Sequence, residues 1–187
     1  MRSHLLVTND FPPKVGGIQS YLWELWRRLP TDDVAVHATP YEGSAAFDAE
    51  QRFAITRSRE PWLLPYPWLP RRVGRLARDH GAELVVWDPA IPVGLAAPRV
   101  DMPYAVVLHG AEVTIPGRLP ILRPLLGRVL RGASLVISAG GYPAAEAERA
   151  AGEPLPSLIV PPGVDTDRFV PLDDGERASV RRQLGLP

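Results

Sequence analysis

Two adjacent glycines, Gly16 and Gly17, follow a short apolar run and a proline pair and lead into an amphipathic stretch. A strand that passes through such a turn into a helix presents unpaired backbone N–H groups and the positive end of the helix dipole. A glycine there lets an anion approach where a Cβ would obstruct it. A phosphate or diphosphate suits that geometry; a plain tight turn would use the same pair, and the glycines alone do not decide between the two. The loop is not the dinucleotide fingerprint, since G-x-G-x-x-G needs three glycines where this chain continues with Ile18 and Gln19. Lys14, inside the loop, is the only lysine in the sequence. His4, His37, His80 and His109 are scattered without ligand spacing, so no metal site is expected.

The elements that must position these residues follow from periodicity. Leu5-Leu6-Val7 is too short and apolar for a helix and reads as a buried first strand ending near Thr8. Ile18, Leu22, Leu25 and Leu29 recur at helical spacing, with Gln19, Ser20, Glu24, Arg27 and Arg28 opposite. Strands are expected at 34–38, 52–57, 83–88, 104–109, 134–138 and 158–160. Helices are expected near 71–80, 121–131 and 143–151, with a helical tail after 173, and 41–51 reads as a surface loop. In the helix at 121–131, Ile121, Leu122, Leu125, Leu126, Val129 and Leu130 form the apolar side. Strands alternating with helices argue for a parallel, doubly wound α/β sheet, whose ligands bind beyond the carboxyl ends of the strands. Asp10, Asp88 and His109 fall at those ends and should gather on one rim.

The 187 residues, 45% of them hydrophobic, can bury a full core. Zero formal net charge and the lack of a dense basic run argue against nucleic-acid binding. Without cysteine there is no thiol catalysis and no disulfide, which fits a reducing compartment. No apolar run is long enough to span a membrane and no signal peptide is evident, so the expected location is cytoplasmic.

Four segments carry a family resemblance: Asn9-Asp10-Phe11-Pro12-Pro13-Lys14-Val15-Gly16-Gly17-Ile18-Gln19-Ser20-Tyr21, His109-Gly110-Ala111-Glu112, Ser138, and Pro162-Gly163-Val164-Asp165 with Phe169. In order and spacing they resemble the N-terminal half of the family 4 retaining glycosyltransferases of the GT-B fold. The first segment is most similar to bacterial mannosyltransferases acting on phosphatidylinositol mannosides. The resemblance implies a Rossmann-like acceptor-side domain, residues 1–170, facing a second domain that holds the nucleotide sugar, with GDP-mannose as donor and no further cofactor. It implies that Gly16 and Gly17 contact the donor diphosphate, that His109 lies beside the transferred sugar as the catalytic-site histidine, and that Gln19, with Asp10 as neighbour, holds the acceptor ring. Glu112 matches the motif without an assignable role, and Lys14 has none either. The donor domain of the family pattern is missing, so residues 171–187 are expected to be the crossing into it and the fragment alone to be inactive. A non-catalytic nucleotide-binding or regulatory α/β module is the alternative. For His109 alone, a strand-end histidine bonded to backbone is the simpler structural role.

A second surface has a distinct chemistry. Arg71, Arg75 and Arg78 fall on one side of the helix expected from residue 71, opposite Val73, Leu76 and Ala77, and Trp62 and Trp68 sit in the proline-punctuated apolar loop before it. Tryptophan suits the headgroup region of a bilayer, so this edge is expected to touch an anionic membrane surface at the inner face of the cell membrane, consistent with a lipid-linked acceptor; an ordinary solvated face would show the same arginines.

Overall fold

Seven short strands hydrogen-bond side by side in one direction. They are β1 (His4–Thr8), β2 (Val34–Ala38), β3 (Ala54–Arg57), β4 (Leu84–Asp88), β5 (Tyr104–Leu108), β6 (Leu135–Ser138) and β7 (Ser157–Ile159). The computed structural model describes residues 2–187 and arranges them as a wholly parallel sheet in the order β3-β2-β1-β4-β5-β6-β7. Thr8 and Asp88, the last residues of β1 and β4, lie side by side in register.

Both faces are covered, which explains why the central strands lack a polar alternation. Leu6, Val36, Val86, Ala105 and Val107 point to the face packed by α1 (Gly17–Trp26), with Phe11, Phe53 and the partly buried Phe47 of α2 (Ser44–Ala49) filling the same layer. Leu5, Val7, Val85, Trp87, Val106 and Leu108 point to the other face. There α3 (Leu69–Asp79), a 3-10 segment (Val93–Arg99), α4 (Ala111–Arg118), α5 (Leu122–Gly132) and α6 (Gly141–Ala151) supply the cover. The chain works outward from β1 to β3, then crosses back to β4 beside β1 and works outward the other way. The switch in direction therefore opens a crevice at the carboxyl ends of β1 and β4, where ligands settle in such sheets. The doubly wound, Rossmann-like fold expected from the sequence is the one observed.

Several boundaries differ from the sequence reading. Residues 41–51 are not a plain loop, because Ser44–Ala49 forms α2. The helix expected from Arg71 begins two residues earlier and takes Pro70 into its first turn, where a missing N–H costs nothing. Helix α4 went unread, since Pro116 and Gly117 near its end look like breakers. In α5 the buried residues are Leu126, Gly127, Val129 and Leu130, whereas Ile121, just outside it, is 82% exposed and Leu125 is also exposed. Gln19, assigned from periodicity to the polar side of α1, is buried.

The segment after β7 leads through exposed residues to α7 (Asp174–Gln183), opened by a capping box in which Asp173 and Glu176 each bond the other's backbone N–H. None of the residues of α7 is buried. Among the described residues, no helix is long and apolar enough to cross a membrane.

Candidate functional site

Everything on the rim starts from how the sheet ends. The Thr8 hydroxyl donates to Asp88 Oδ2 at 2.6 Å and accepts the Asp10 N–H at 2.8 Å, which turns the chain sharply out of β1. Asn9, buried next to it, clamps the proline-rich loop from a distance in sequence: its amide donates to the Leu63 carbonyl at 2.9 Å and accepts the Leu63 N–H at 2.7 Å. Arg57, at the end of β3, reaches the Pro12 carbonyl at 2.6 Å and the Thr39 carbonyl at 3.0 Å while paired with Asp48. The glycine loop is thus held from three sides before it reaches α1.

Within the loop, Asp10 Oδ1 accepts from Gln19 Nε2 at 2.6 Å and from Lys14 Nζ at 2.7 Å. Lys14 also lies over the indole of Trp62, 5.3 Å from its centroid. Trp62 remains 57% exposed at the rim of this loop. The two glycines differ. A Cβ on Gly16 would come within 2.2 Å of Gln19 Oε1, so this position must stay bare for Gln19 to reach Asp10. A Cβ on Gly17, the first residue of α1, would meet no described atom within 4 Å. No side chain caps the N-terminal N–H groups of α1. Gly17, Ser20 and Tyr21 line a cleft of about 970 Å³ whose other wall is the segment from Pro161 to Phe169.

His109 follows β5. Its Nε2 lies 2.7 Å from Asp88 Oδ1, its backbone N–H is taken by Glu112, and the Tyr21 ring stands edge-on to it with centroids 5.3 Å apart. Glu112 secures the turn that follows, because its carboxylate accepts the His109 and Gly110 N–H groups at the start of α4. Gly110, at φ 158° and ψ −81°, makes a turn that side-chain-bearing residues rarely adopt. Tyr21 donates its hydroxyl to the Val160 carbonyl at 2.7 Å, just past β7. Ser138, fully buried at the end of β6, donates to the Gly140 carbonyl and shapes the turn into α6.

Burial is the largest influence on both Asp88 and His109. It pushes the Asp88 carboxyl up, more than the hydrogen bonds from His109 and Thr8 pull it down. Burial would push the imidazole down, but the hydrogen bond and charge of Asp88, with Glu112 and Asp10 behind, leave its pKa above the ordinary value. Both shifts favour keeping a proton on the pair. Burial also raises the Tyr21 pKa, with Asp88 adding to it, so the phenol stays neutral.

The structure brings Asp10, Lys14, Gly16, Gly17, Gln19, His109 and Glu112 to one rim. Arg71, Arg75 and Arg78 do not join them; they line a separate groove of about 360 Å³ with Arg99 and Asp101, floored by Pro70, Gly74 and Val100. Trp68 stacks on Tyr66 at 5.2 Å, also away from the crevice. Sequence reasoning passed over Thr8, Asn9 and Arg57, whose partners lie 54, 45 or 80 residues away and leave no local signal.

The family model described as Glycosyltransferase Family 4 matches residues 15–168. The chain is 38% identical over 192 aligned positions to the GDP-mannose-dependent alpha-(1-6)-phosphatidylinositol monomannoside mannosyltransferase of Mycobacterium tuberculosis, covering 97% of this chain and 49% of that protein. The protein of the same name from Mycolicibacterium smegmatis is 36% identical at the same coverage. Among solved structures, HepE of Anabaena in complex with UDP superposes with a TM-score of 0.66 over 98% of this chain and 50% of that one; at 17% identity it speaks to the fold alone. The chain spans about half the length of the relatives it matches.

Proposed function

Because this chain belongs to glycosyltransferase family 4, we propose that it is the acceptor-side domain, residues 1–170, of a retaining mannosyltransferase that moves mannose from GDP-mannose to a phosphatidylinositol-type glycolipid. The observation that carries the reading is the uncapped N-terminus of α1 at Gly17, which lines a cleft with Ser20 and Tyr21, the latter edge-on to His109.

In this reading the diphosphate lies against the N–H groups that open α1, where the helix dipole and the freed donors stabilise the charge that grows as the donor bond breaks. Asp10 and Gln19 hold hydroxyls of the acceptor ring, Lys14 keeps the Asp10 carboxylate turned toward Gln19, and His109 orients the sugar. No side chain is asked to act as nucleophile; the acceptor hydroxyl attacks from the side the diphosphate leaves, and the rim supplies position and charge. Residues from 171 onward lead toward a second domain that would grip the nucleotide, in keeping with relatives about twice as long.

The acceptor is a lipid in this proposal, which gives the outer edge a purpose. Trp62, Trp68, Arg71, Arg75 and Arg78 would rest on an anionic cytoplasmic leaflet, each arginine contributing about 1 kcal/mol near the surface. Expected binding is weak and salt-sensitive. Sedimentation with anionic vesicles should drop several-fold when Arg71, Arg75 and Arg78 are changed together to Ser, and unchanged binding would remove the membrane from the proposal.

The deciding experiment supplies the full-length protein with labelled GDP-mannose and phosphatidylinositol monomannoside. Mannolipid should form with the anomeric configuration of the donor retained. Tight nucleotide binding without any transfer would favour the non-catalytic nucleotide-binding module.

A further inference from the structure

The rim contains a side chain that the proposed reaction leaves idle. Asp88 is wholly buried, and both carboxylate oxygens are committed, Oδ2 to the Thr8 hydroxyl at 2.6 Å and Oδ1 to His109 Nε2 at 2.7 Å. Taking a carboxylate out of water at a strand end, where valine or leucine would pack without penalty, is costly unless it holds something in place. What it holds is an imidazole. The ring is fixed by Asp88 at Nε2, by Glu112 through its backbone N–H, and by the edge-on contact of Tyr21. Its other nitrogen, Nδ1, makes no hydrogen bond to the described residues and is not sealed in the interior.

Resting on the reading of this rim as a sugar-transfer site, we propose that Asp88 is a positioning residue that locks His109 with Nε2–H directed inward and presents Nδ1–H to an oxygen of the bound substrate. A neutral imidazole whose proton sits on Nε2 offers only a lone pair at Nδ1, so the donor role needs the imidazolium. The charged groups facing the ring are Asp88 from β4, Asp10 from the glycine loop and Glu112 from α4, all anionic, with Tyr21 of α1 neutral. Each of these three carboxylates favours the cation. Thr8 acts one step further back: it fixes the carboxylate plane, because the two residues sit in register on neighbouring strands.

The chain has four histidines, so its imidazoles can be followed singly by long-range proton–nitrogen correlation as pH is varied. His109 should titrate above the ordinary histidine range and, on losing its proton, keep the one on Nε2. Asp88→Asn should lower its midpoint by more than one pH unit, and Thr8→Val by a smaller step in the same direction. In the full-length protein, the alkaline fall of kcat should move to lower pH in Asp88→Asn by the same interval, with KM for GDP-mannose altered less than threefold.

A neutral His109 carrying its proton on Nδ1 in the parent would overturn the proposal, as would an unmoved midpoint in folded Asp88→Asn. Should Asp88→Asn not fold, the parent tautomer and the Thr8→Val titration decide the matter. Titrations as expected in a full-length protein that transfers no mannose would instead sink the transfer reading and leave Asp88 as the group that sets the ring.

Discussion

At the scale of single residues, Gly16 and Gly17 look equivalent in the sequence and are not. Gly17 opens a helix into free space, so Gly17→Val should leave the unfolding free energy within about 1 kcal/mol of the parent, since valine is no worse a helix former than glycine. In the full-length protein the same change should lower transfer at least tenfold by filling the anion space; undiminished turnover would reduce the pair to a turn. Gly16→Ala acts by collision. Its new methyl displaces the Gln19 amide and breaks the Gln19–Asp10 bond, which should weaken acceptor binding through KM while costing under about 2 kcal/mol of stability. The sequence announced the glycines because backbone freedom is a local property. It named Glu112 without its role, which is to reach back to two N–H groups, and it misplaced Gln19, since periodicity marks which residues are polar and not which are covered.

At the scale of elements, the loop from Glu60 to Trp68 is hydrogen-bonded to the site through Asn9. Both backbone groups of buried Leu63 bond the Asn9 side chain, so Asn9→Ala leaves an N–H and a carbonyl without partners. A loss of about 2–4 kcal/mol in denaturant unfolding is expected. Cleavage within 60–68 should appear in limited proteolysis, and a loop that stays resistant would show that apolar packing of Leu63 suffices. Strand and helix order was largely legible, because buried strands and amphipathic helices each carry their own period. The misreadings have a common cause. Ser44–Ala49 is mostly small residues with little periodic contrast, Pro116 masked the end of α4, and Ile121 and Leu125 are apolar yet uncovered. Hydrophobicity predicts what would profit from burial, and neighbours far along the chain decide what receives it.

At the scale of the whole molecule, the alternation of strands and helices implied a parallel sheet, but the crossing from β3 back to β4 beside β1 depends on long-range pairing that no window of sequence records. That crossing places the crevice. The sheet also fixes the pH response of stability. His37 is wholly buried in β2, its Nε2 has no partner, and its pKa is lowered to about 4, first by burial and then by the Arg72 charge. Because the folded value lies below the unfolded one near 6.5, no stability is lost above that range. As pH falls from about 6.5 to 4 the unfolded chain binds a proton that the folded chain refuses, and stability should drop by about 3 kcal/mol. Denaturant midpoints taken at pH 7 and 4.5 should differ less in His37→Leu than in the parent, and parallel curves would show that other groups govern the acid limb.

Lys14 gives the rim an address. As the one lysine of the chain, held 2.7 Å from Asp10 and lying over Trp62, it is the sole side-chain amine that a reductive methylation reagent can find. Carbon-13 dimethylation would therefore place a single magnetic label inside the glycine loop, with the terminal amine as the second and easily separated signal. The label keeps its positive charge and its contact with the carboxylate, and the indole ring current would shift its resonance. Whatever enters the crevice could then be watched from within by one line in a spectrum, with no residue replaced.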